Sequence, residues 1–229
     1  TEGLGHRFFA ALKIRALQNY CLFNGTMTLI HAASLPFWVV AFTERGMPIL
    51  YFVWMISIRS LGHVATLYFW GRLVQSHGSR SAISIALGGM FSLAPFWQIL
   101  PADSTSLVFA AGIFYFLWGA FEAGMQSGQT PVMMESVATA YRAEGFTVSM
   151  YAMAVGGGIG GLAGGLIFER LNEMPTDTLS WEPELLYLTV AHLSSVLLWL
   201  LSRNLKGVRE QLSAREFLRR RLLERRRPT

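Results

Sequence analysis

FTVSMYAMAVGGGIGGLAGGLIF, residues 146–168, runs for 23 residues without a charged side chain. An α-helix rises 1.5 Å per residue, so about 20 apolar residues cross a hydrocarbon core of about 30 Å. The stretch therefore has membrane length. Working outward, five more apolar stretches of comparable length lie at 16–42, 49–70, 81–100, 106–129 and 185–205. One such stretch fits the core helix of a soluble protein; six in a row fit a polytopic membrane protein. Composition agrees, with 52% hydrophobic and only 14% charged residues, where a soluble domain carries about 25% charge.

The basic residues give the topology. Assigning the gaps to alternate sides puts both chain ends, 71–80 and 130–145 together. That side holds Arg7, Lys13, Arg15, Arg72, Arg80, Arg142 and ten basic residues from Arg203 to Arg227. The opposite side holds Arg45 and Arg170, and Arg59 lies inside the second stretch. Short basic loops remain in the cytoplasm, so both termini are expected there, in a plasma (bacterial inner) membrane. The net charge of +5 is concentrated beside a membrane exit, which points to anionic lipid rather than nucleic acid. The single cysteine, Cys21, excludes an internal disulfide framework. Three segments follow: an interfacial approach at 1–15, a membrane domain at 16–205 and a basic cytoplasmic tail at 206–229. The chain begins with Thr rather than Met and is expected to be part of a longer protein.

Within the spans, Pro36 predicts a kink in the first, and the fourth is expected to end at Thr130-Pro131. The short TERGMP turn predicts that the first two spans pack as close neighbours. The run GGGIGGLAGG, residues 156–165, holds two offset ridges of small residues. Gly156, Gly160, Gly161 and Gly164 are expected at helix–helix contacts, because small residues let backbones approach in lipid. The run also satisfies G-x-G-x-x-G, but a dinucleotide loop needs a strand before it and a βαβ unit around it.

Polar residues inside the spans are the functional candidates. A central arginine costs about 2.5–3.5 kcal/mol on the insertion scale and needs a partner or a wet cavity. Arg59 has His63, Thr66 and Trp70 along the same helix. Glu122 in the fourth span has Gln126 and Gln129 on its face and Trp118 one turn before. The first span adds Asn24, Thr28 and His31. Three polar faces in lipid must turn inward, outlining a path in which Arg59 and Glu122 share a cavity or pair directly.

WGRLVQSHGSRSAISIA, residues 70–86, resembles the cytoplasmic loop motif of the major facilitator superfamily. Gly71, Leu73, Gly78 and Arg80 stand at matching positions, and Gln75 stands where the family prefers Asp. SLPFW (34–38), FLWGAFEAGMQSGQTPVMME (116–135) and the glycine-rich 145–171 resemble the seventh, tenth and eleventh helices of that family. The resemblance implies an all-α bundle of six transmembrane helices forming the C-terminal half of a twelve-span transporter. Its partner is the missing N-terminal half or a second copy. It implies a secondary transporter moving a small solute by alternating access, ion- or proton-coupled, with no enzymatic activity, cofactor or metal. Glu122 becomes the candidate coupling acid. Arg59, His63, Gln126, Asn24, His31 and Trp118 are the candidate path. Two alternatives remain: a non-transporting scaffold with the same fold, and an intramembrane serine protease using Ser127 and His192.

Overall fold

The computed structural model describes residues 4–101, 103–173 and 182–205. The basic tail read from the sequence, 206–229, lies outside these. The described chain is helix and turn: α1 Leu4–Leu12, α2 Arg15–Thr43, α3 Tyr51–His77, α4 Ser79–Ser92, α5 Ser104–Ser136, α6 Arg142–Asn172, α7 Pro183–Leu193 and α8 Ser195–Ser202. Among the described residues, five stretches are long and apolar enough to cross a membrane: α2, α3, α5, the α6 region and the α7–α8 stretch.

The third expected span is built differently. It is the 14-residue α4 followed by a five-residue 3₁₀ turn, Ala94–Gln98. Pro95 cannot donate to the Phe91 carbonyl, and the chain tightens through Leu93 N–H to Met90 and Phe96 N–H to Leu93, each 3.1 Å. Helix plus turn still reach about 31 Å, enough for the hydrocarbon core. The last span breaks at Ser194, whose hydroxyl donates to the Ala191 carbonyl and competes with the backbone ladder. Elsewhere proline does not end a helix. α2 continues through Pro36, and α5 passes Pro131 to end at Ser136 rather than at Thr130, with Val132 and Met133 buried beyond the proline. One lost backbone bond does not end a helix whose next turn is packed.

The principal packing partners are α2 with α6 and α3 with α5. The hairpin between α2 and α3 turns at Gly46 (φ 83°), but those two helices are not the main pair. The reason is glycine. A Cβ on Gly156, Gly160 or Gly164 would lie within 3.0 Å of the carbonyl of Gly25, Leu29 or Ala33, so α6 rests on the α2 backbone. Only one of the two expected ridges does this. Gly161, predicted at the contact, has open space around its Cβ position and is exposed, as is Gly165. Rotation of about 100° per residue places the offset ridge beside the seam rather than in it.

A second seam joins α3 to α5. A Cβ on Gly62 would collide with the Phe116 carbonyl, and one on Gly119 with the Arg59 carbonyl. Toward the hairpin end, the core is aromatic: Trp38, Phe42, Trp97, Phe114, Tyr115 and Trp118 are buried together. Trp97 Nε1 donates to His192 Nδ1 at 2.9 Å within this cluster. Large apolar side chains on α3 (Trp54, Leu61, Tyr68) and α6 (Val155, Leu162, Leu166) remain exposed, as lipid-facing or partner-facing surfaces must be.

The asymmetric glycine seam gives a paired expectation. Gly160→Leu should separate α6 from α2 and lower the thermal unfolding midpoint in detergent by several degrees. Gly161→Leu should leave the midpoint within one or two degrees of wild type. Equal loss in both variants would contradict the assigned face.

Candidate functional site: an arginine–glutamate pair inside the bundle

Arg59 and Glu122 meet because their helices touch. The Gly62 and Gly119 contacts bring the α3 and α5 backbones together at this level, and Glu122 follows Gly119 by one turn. Arg59 Nε donates to Glu122 Oε2 at 2.7 Å and Nη2 to Oε1 at 2.6 Å. This is the two-pronged geometry in which a planar guanidinium matches a carboxylate. Gln126 Nε2 adds a longer bond to Oε1, 3.3 Å. The pair is enclosed unevenly: the Glu122 side chain is 12% exposed and the Arg59 side chain 34%.

The other predicted path residues divide into three groups. His31 is half-buried on α2, its ring centroid 5.3 Å from that of Trp118, and it lies within Coulombic reach of both Glu122 and Arg59. Trp118, expected to line the path, is instead part of the buried aromatic core, edge-on to Trp38 at 4.8 Å. Its large apolar face is better satisfied there than beside a charge pair. His63 is half-buried one turn along α3 from Arg59 and has no part in the ion pair. Thr66 and Trp70, on the same helix, donate to the Ala120 carbonyl at 3.3 and 2.7 Å, strengthening the α3–α5 seam.

Asn24, Gln126 and Gln129 gather around a separate cavity of about 270 Å³ between α2, α5 and α6. It lies toward the end of the bundle where α2 and α6 begin and α5 ends. Asn24 Nδ2 donates to Tyr20 Oη at 3.1 Å and Ser149 Oγ at 3.4 Å, while its Oδ1 is buried without a protein partner. Gln129 Nε2 approaches Met27 Sδ at 3.2 Å, and Met133, Met134, Met150 and Met153 complete much of the wall. Sequence reasoning missed Ser149 and Met153. A signal was present: they fall seven and three residues before Gly156, on the face that the glycine ridge turns toward α2.

A family model for the Major Facilitator Superfamily matches residues 20–228. The chain belongs to the Major Facilitator Superfamily. No curated protein matches it, and no solved structure does. It is a multi-pass integral membrane protein of a transporter family.

In this superfamily member the loop joining α3 to α4 is reduced to one residue. Gly78 adopts φ 84°, a conformation that a side chain would strain, and its N–H caps the Val74 carbonyl at 2.9 Å. Gly71 has open space at its Cβ position and Arg80 is exposed, so of the expected motif residues Gly78 has the clear structural role. The protease arrangement does not form. His192 sits among Trp38, Trp97, Phe114 and Trp118 and is bonded to Trp97. Ser127 lies nine residues beyond Trp118 on α5, about 13 Å along the axis.

Neutralising one member of the pair should be worse than neutralising both. Removing one partner of a buried pair costs about 3–5 kcal/mol; with Arg59 one-third exposed, the low end applies. Arg59→Gln strands a carboxylate that can take up a proton, so its penalty should shrink toward acid pH. Glu122→Gln strands a guanidinium that cannot titrate, so its penalty should not change. The double variant should recover most of the loss. Thermal unfolding of the four proteins at pH 5 and 8 checks this, and a double variant less stable than either single would contradict a coupled pair.

Proposed function

We propose that this protein is a secondary active transporter that moves a small solute by alternating access, with Glu122 as the proton-coupling acid. The observation that carries this reading is the two-pronged Arg59–Glu122 bond inside a membrane bundle. A charge pair in hydrocarbon is costly to maintain, and a purely structural seam is already provided by Gly62 and Gly119. Protonation of Glu122 would release Arg59. The groups facing that exchange are His31 from α2, Tyr115 and Gln126 from α5, and Arg59 itself from α3. Gln126 joins the pair to the cavity lined by Asn24 and Gln129, where a solute would find amide groups and methionine walls. Polarizable methionine walls accommodate solutes of varied shape.

In the same reading the chain is the C-terminal six-span half of a twelve-span transporter, and the exposed apolar faces of α3 and α6 are covered by lipid and the other half. Both termini are cytoplasmic, on the grounds of the basic-residue distribution.

Two measurements test these proposals. Proteoliposomes containing the full chain and a pH-sensitive dye should show proton flux when a mixed pool of small solutes is added, and Glu122→Gln should abolish it while the protein stays folded. Wild-type flux in Glu122→Gln across the pH range would remove Glu122 from the mechanism. For orientation, in a Cys21→Ser background, Thr176→Cys should react with an impermeant thiol reagent applied to intact cells, and Glu210→Cys should not; the reverse pattern would invert the topology.

A further inference from the structure

On the side of α2 away from the ion pair lies an open groove between α1, α2 and α6, with a volume of about 590 Å³. Its walls are nearly all hydrocarbon, with Phe8 and Leu12 from α1, Leu22 and Leu29 from α2, and Val148 and Val155 from α6. The amide of Gln18, at the mouth, is already used, donating to the Leu12 carbonyl at 2.8 Å and pinning α1 across the start of α2. The Phe8 ring meets Tyr151 edge-on at 6.2 Å and ties α1 to α6. Nothing in these walls recognises a polar solute.

The groove's length suits a lipid tail. It follows α2 from Leu17 to Leu29, about 18 Å along the axis and close to the depth of one leaflet. It is open along its side, and one extended hydrocarbon chain fits it. The groove also has a polarity. Its deep end reaches Gly25 and Gly156, where α2 and α6 touch, and its other end is lined by Leu12 and Leu17, which bracket the exposed Lys13 and Arg15 in the chain at the α1–α2 joint.

We infer that this groove holds one acyl chain of an anionic phospholipid from the leaflet at the basic end of the bundle, with the lipid phosphate between Lys13 and Arg15. The shape supplies the acyl-chain site, and the two cations select the headgroup. Such a lipid would wedge α1 against the α2–α6 seam. It uses no residue of the Arg59–Glu122 site, so the two readings stand or fall separately.

The test is photo-crosslinking of the full chain in nanodiscs. Phosphatidylglycerol and phosphatidylcholine, carrying the same diazirine-bearing acyl chain, are compared and adducts are mapped by peptide mass spectrometry. Phosphatidylglycerol adducts should concentrate on the groove walls of α2 and α6, about fivefold above phosphatidylcholine. Lys13→Gln with Arg15→Gln, both at the surface, should reduce phosphatidylglycerol to the phosphatidylcholine level. Cys21→Trp, which fills the groove and leaves the basic rim, should remove the adducts for both lipids. Equal labelling by the two headgroups, adducts spread evenly over the exposed faces of α3 and α6, or an unlabelled groove would each overturn the proposal.

Discussion

An arginine and a glutamate can occupy hydrocarbon together only if each replaces the water the other has lost. Arg59 and Glu122 satisfy that condition through two short, charge-assisted bonds. The geometry requires two helix backbones at contact distance, which makes Gly62 and Gly119 part of the same device. A methyl group at either would push α3 off α5 just where the guanidinium must reach the carboxylate. Thr66 and Trp70 then fasten the same seam through the Ala120 carbonyl. Much of the arrangement at the middle of the bundle follows from keeping this one pair closed.

The rest of the fold repeats that solution without the charges. Lipid provides no hydrophobic drive between helices, so close backbone approach and dispersion must hold them. Gly156, Gly160 and Gly164 provide it for α2 and α6, and the aromatic cluster around Trp38 and Trp97 provides it near the hairpins. α5 presents small residues to several neighbours: Gly124 meets the Trp70 ring, and Gly128 meets the Ser79 carbonyl and Ile83. That makes it the central helix, against which α3 and α4 are both laid.

Class, span order and the ion pair were legible because each rests on a cost that sequence alone expresses. An uncharged run of membrane length has one economical interpretation, and a charge inside such a run demands a partner. What was not legible depended on rotation and neighbours. The two glycine ridges of α6 are equivalent as text, and only the facing helix distinguishes Gly160 from Gly161. Pairing was misread from the short α2–α3 hairpin, because loop length limits the distance between helix ends and says nothing about which faces interlock. Gly62 and Gly119 went unnoticed because each is a single small residue in its contact rather than a repeat. Trp118 was placed on the path by spacing alone, while packing assigned its ring to the core.

The uneven enclosure of the pair gives the bundle a direction. Toward the hairpins, Trp38, Trp97, Phe114 and Trp118 fill the space with mutually packed rings. Toward the end where α2 and α6 begin, Gln126 links Glu122 to a cavity whose walls are amides, hydroxyls and methionines. In the proposed reading, a solute would approach the carboxylate from the Gln126 side. The two glycine seams hold α3 on α5 and α2 on α6 by backbone contact, which resists sliding within each pair. In the proposed transport reading, reversing the open side would mean repacking the aromatic rings or shifting one helix pair against the other, across the Gln129–Met27 contact that joins α5 to α2.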